Sequence, residues 1–213
     1  MSKRWRVGVG LIALVLVSGI AWSFLQPGAP GAAPTGPAPP CPYGFVDRPS
    51  ATAPVLQRLR TTTDGAAVLA ALGGAEVRFC WGDIDSPVVD GGQLLLMTED
   101  DPPAQRAARA AHLLHHVAHG LPLPAEIPRG ADCEALVAQA LAREAEAYAL
   151  ELRLRRRLEA PGPRYDFEPA FWEAAEGDRV ALILDYLRAH PDGARNLEAL
   201  GTGYRQRCEV QAR

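Results

Sequence analysis

The sequence predicts an α+β domain, mostly helical with a small sheet, behind an N-terminal apolar helix. Three observations carry this reading. Two short strand-like runs, 76–81 and 93–97, lie close together, and every later periodic segment has helical spacing. A 19-residue uncharged run, 7–25, follows Lys3, Arg4 and Arg6. The chain has 213 residues, enough for one domain with a small annex.

The apolar run would extend roughly 28 Å as a helix, close to a bilayer's hydrocarbon thickness. Positive charge before it predicts a cytoplasmic N-terminus, with the rest of the chain outside the cytoplasm. Residues 1–25 therefore read as a signal anchor, a single-pass helix in the cell membrane. The alternative is a cleaved signal peptide, with a small-x-small site at Gly19-Ile20-Ala21, and a secreted or periplasmic product. Residues 26–42 are rich in Pro, Gly and Ala and read as a semi-extended linker. Residues 43–213 form the expected extracytoplasmic domain.

Elements within the domain follow from local signals. Short helices are expected at 54–62 and 64–72, the second capped by Asp64 and stopped by Gly73-Gly74. Residues 76–81 alternate with Val, Phe and Trp, and 93–97 form a short apolar run, so both read as strands. A long helix is expected at 102–119, from the Asp101 cap to Gly120. Asp132 should cap a second, 133–158, which ends in an arginine cluster suited to a helix C-terminus. Further helices are expected at 168–190 and 193–208.

The net charge of -3 excludes an electrostatic nucleic-acid binder. Lys3 is the sole lysine, and Ala, Gly and Pro are abundant, a composition typical of a GC-rich bacterial genome. Four cysteines, Cys41, Cys80, Cys133 and Cys208, follow the anchor. An even count outside the cytoplasm suggests two disulfides, and no CxxC pair offers a metal site. Three connectivities are open. The preferred one, Cys41–Cys80 with Cys133–Cys208, ties each chain end to an interior element.

The chemistry concentrates in the long helices. His112, His115, His116 and His119 share one helical face, with Leu113, Leu114 and Val117 turned to the core. Histidines four apart present two imidazoles to one metal ion. Two pairs have that spacing, His112/His116 and His115/His119. Glu144, Tyr148 and Glu151 share a face of the next helix, and antiparallel pairing would bring Glu144 to the histidines.

Here the chain resembles the zincin metallopeptidases whose third ligand is glutamate, the gluzincins. His115-His116-Val117-Ala118-His119 stands where that family has HExxH, and Glu144-Ala145-Glu146-Ala147-Tyr148 where it has ExxAD. The resemblance covers roughly residues 76–158. It implies a zincin-like fold, zinc as cofactor, His115, His119 and Glu144 as ligands, and 93–97 as the edge strand that pairs with a peptide. His112 and His116 are further candidate ligands. His116 occupies the family's general-base position, and Tyr148 the place of an aspartate that orients a ligand histidine. Both departures point to a zincin-like pseudoenzyme that binds metal, or an unknown protein or peptide partner, without peptidase activity. The alternatives are an active zinc peptidase with His116 or Glu146 as base, and a helical interaction protein with no metal.

Overall fold

The computed structural model describes residues 36–84 and 88–213. The expected N-terminal helix lies outside them. Among the described residues no helix is long and apolar enough to cross a membrane.

The order is β1 (Val46–Asp47), α1 (Pro49–Arg60), α2 (Thr63–Ala71), β2 (Arg78–Trp81), β3 (Val88–Asp90) and β4 (Leu94–Met97). Helices α3 (Pro103–His119), α4 (Cys133–Arg157), α5 (Glu168–Glu173), α6 (Arg179–Ala189) and α7 (Leu200–Gln211) complete it. This is the expected α+β class: a small mixed sheet with α1 and α2 between its first two strands and the remaining helices after β4.

The sheet runs β1-β2-β4-β3, with β2 and β4 parallel and both outer pairs antiparallel. The run expected as an edge strand is therefore interior. Beyond it lies β3, whose three residues are too few to show an alternating pattern. Gly91 and Gly92, at φ 57° and 78°, make the tight β3–β4 turn that two successive left-handed positions require. All four β4 residues are buried, as its central place demands.

The helix boundaries differ in instructive ways. Helix α1 starts earlier than expected, at Pro49, and carries Pro54 inside. Thr62 rather than Asp64 caps α2, accepting from the Gly65 amide at 3.0 Å. Pro102 precedes α3 with no side-chain cap, so Asp101 does not cap it. Asp132 does cap α4, accepting from the Ala135 amide at 3.2 Å. The single helix expected at 168–190 is broken by Ala174 and a 3-10 turn at Glu176–Asp178. The last helix begins at Leu200, later than expected.

Helix α4 lies between two cores. Leu150 and Leu154 join Trp81, Leu95, Met97 and Leu114 beneath the sheet. Val137, Leu141, Tyr148 and Leu152 join Phe167, Phe171, Ile183 and Leu187 on the other side. Ala108 and Ala111 on α3 and Ala145 and Ala147 on α4 are fully buried.

Both preferred disulfides form, Cys41–Cys80 and Cys133–Cys208. The first ties the chain before β1 to β2. The second ties the start of α4 to α7, across a sequence separation of 75 residues. Replacing Cys133 and Cys208 together by Ser should cost about 3–4 kcal/mol, because the bond closes a long loop. The urea unfolding midpoint of the variant measures this; an unchanged midpoint would contradict it.

Candidate metal centre

Helices α3 and α4 meet along a polar seam. On α3 it comprises Gln105, Arg109, His112 and His116; on α4, Glu144, Tyr148, Glu151 and Arg155. Each set is spaced four, three, four, the pattern that keeps side chains on one stripe. All eight are buried. Such a stripe is ordinarily apolar, so these groups must satisfy one another.

Glu151, fully buried, is the hub. It accepts from Tyr165 Oη at 2.9 Å, Arg109 Nη1 at 3.3 Å and Gln105 Nε2 at 3.4 Å. Arg109 also donates to Tyr165 Oη at 2.9 Å. His112 Nδ1 lies 3.1 Å from Glu151 Oε2, close but poorly aligned for a hydrogen bond. Burial alone would raise the Glu151 pKa; Arg109, His112 and Tyr165 outweigh it and hold it well below the ordinary value.

The other edge of His112 faces the centre. His112 Nε2, His116 Nε2 and Glu144 Oε2 converge, separated by 3.2 Å between the nitrogens and by 3.2 and 3.5 Å from the carboxylate. Ligands about 2.0–2.1 Å from a tetrahedral ion stand about 3.3–3.4 Å from one another. The triangle thus already has the dimensions of one face of such a tetrahedron. These three residues can hold a metal ion. Tyr204, from α7, donates to the second Glu144 oxygen and fixes the carboxylate.

Electrostatics point the same way. Burial lowers the affinity of His112 for a proton, but Glu144 and Glu151 outweigh it and raise the pKa above 6.5. For His116 burial prevails over Glu144, and the pKa falls. Burial would raise Glu144, yet His116 and His112 hold it well below the ordinary carboxylate value. Two nitrogens and a carboxylate oxygen facing one another need a positive charge between them, a proton or a cation.

His115 and His119 do not join Glu144. Their rings stack, with centroids 4.3 Å apart, and His115 Nε2 lies 3.7 Å from Glu146 Oε2. Glu146, two residues along α4 from Glu144, points about 200° away from it. The ligand set expected from the motif is thus divided: Glu144 converges with His112 and His116, while His115 and His119 accompany Glu146. His116 stands among the converging atoms rather than beside them as a base. Tyr148 packs its ring edge-on against His112, with centroids 4.5 Å apart. The carboxylate behind His112 comes instead from Glu151, one turn further along α4.

The converging residues line a cavity of about 150 Å³. Val89, Leu113, Leu121, Leu123 and Leu200 form its apolar wall, and Arg109, Glu198, Tyr204 and Arg207 contribute polar groups. The sequence motif did not point to Gln105, Arg109, Tyr165 or Tyr204. The first two share the spacing of the His112/His116 pair; the tyrosines arrive from distant segments. No known protein family, curated protein or solved structure matches this chain.

Removing the hub carboxylate would leave Arg109 buried beside Tyr165 without its main counter-charge. Glu151→Ala should cost about 3–5 kcal/mol, and Glu151→Gln nearly as much, because it too removes the charge and keeps only one acceptor oxygen for the donors around it. Urea unfolding of the two variants tests this: if the charge matters, Glu151→Gln loses most of what Glu151→Ala loses, and a Gln variant as stable as the unaltered protein would contradict a charge-dependent role.

Proposed function

We propose that this chain is a membrane-tethered, extracytoplasmic metal-binding protein of the bacterial envelope. Its domain holds one zinc ion on His112, His116 and Glu144 and does not cleave peptides. The observation that carries the reading is the triangle of ligand atoms, sized for a tetrahedral ion before any ion is placed in it. The position of Glu151 supports it: its carboxylate lies 3.1 Å from the far ring nitrogen of His112, where a small turn of the ring would supply the partner that orients a ligand imidazole.

Two features argue against peptidase chemistry. The residue after the first converging histidine is Leu113, buried in the core, where the gluzincins have their glutamate base. The other candidate base, Glu146, is turned toward His115. The cavity is also small for a polypeptide. The tether rests on the apolar run after Lys3, Arg4 and Arg6. The two disulfides favour an oxidising compartment.

The test is metal content of the full-length chain, purified in detergent without a histidine tag and equilibrated with zinc. About one zinc per chain is expected. His112→Ala and Glu144→Gln should each abolish tight binding, whereas His115→Ala/His119→Ala should retain it. Loss of zinc only in the last variant, or no zinc in the unaltered protein, would refute the assignment.

A further inference from the structure

The three converging atoms occupy one face of a tetrahedron, so the fourth position belongs to whatever fills the cavity. That space has two chemical characters. Its walls include Val89, Leu113, Leu121, Leu123 and Leu200. Its floor carries the three ligand groups. A volume of about 150 Å³ matches apolar cavities that admit a molecule of about six heavy atoms.

Charge narrows the occupant further. Glu144, Glu151 and Glu198 are anionic; Arg109 and Arg207 are cationic; the site thus carries one net negative charge with neutral imidazoles. A divalent ion reverses this to one net positive charge. Arg109 already pairs with Glu151 and approaches Glu198 to 3.9 Å, and Arg207 donates to Pro124 O at 3.1 Å. Arg207 keeps its charge, since a carbonyl is a neutral acceptor, but the ion is the cation with an open coordination position for an incoming anion.

We propose, on the metal-centre reading above, that the loaded site binds a short aliphatic monocarboxylate. One carboxylate oxygen takes the open coordination position, and an alkyl tail of three carbons lies on the apolar wall. Butyrate has the required six heavy atoms and single charge. Acetate has the head without the tail, and chloride has the charge alone.

The test uses the full-length chain in detergent, loaded with cobalt(II), whose visible absorption reports the ligands around it. Butyrate should change the spectrum saturably and bind about tenfold more tightly than acetate, because two further methylenes are buried. Chloride should have little effect. Leu121→Trp, a change in the loop after α3 that fills the cavity, should keep the cobalt spectrum and its response to acetate but lose the preference for butyrate. A cobalt spectrum indifferent to butyrate, or equally responsive to butyrate and chloride, would overturn this inference and leave the metal centre standing. Absence of any cobalt spectrum would overturn both.

Discussion

The Arg109–Glu151 pair, buried where α3 crosses α4, is the interaction on which the remaining geometry depends. A charged pair at such a position is a poor source of stability compared with two leucines. It persists only because Gln105, Tyr165 and His112 complete the surroundings of Glu151. Once Glu151 is fixed, its carboxylate stands 3.1 Å behind His112 Nδ1, and His112 Nε2 faces His116 and Glu144. The antiparallel register that satisfies Glu151 also sets Glu144, seven residues earlier, opposite His116, four residues after His112.

The rest of the fold supports that seam from several sides. The sheet and α1 pack behind α3, and α5 and α6 cover α4. Helix α7 supplies Tyr204 to the far oxygen of Glu144, and its bond from Cys208 to Cys133 holds it against the start of α4. The centre thus draws its ligands from two helices but its rigidity from segments spread along the domain.

Much of the fold was legible because the responsible signals are local. Asp132 marks the start of α4, Gly120 the end of α3, and the apolar run at 93–97 one strand. The missing strands β1 and β3 are two and three residues long and acquire their identity only by pairing. The site was legible in part. Four histidines on one face and Glu144 on the next helix pointed to the two helices from which His112, His116 and Glu144 converge. The motif spacing favoured His115 and His119, because spacing alone cannot choose between two pairs offset by three residues. What chooses is the register of α3 against α4. Gln105 and Arg109 carry that information, since they extend the His112/His116 stripe by two turns. Tyr165 and Tyr204 lay beyond reach of local patterns, because only tertiary packing brings them in.

The α3–α4 register brings His112, His116 and Glu144 together as a candidate metal centre. Diffraction data collected on zinc-loaded crystals on either side of the zinc absorption edge test it most directly. One strong anomalous peak is expected about 2.0–2.2 Å from His112 Nε2, His116 Nε2 and a Glu144 oxygen. A peak between His115 and His119, or none within reach of Glu144, would contradict it.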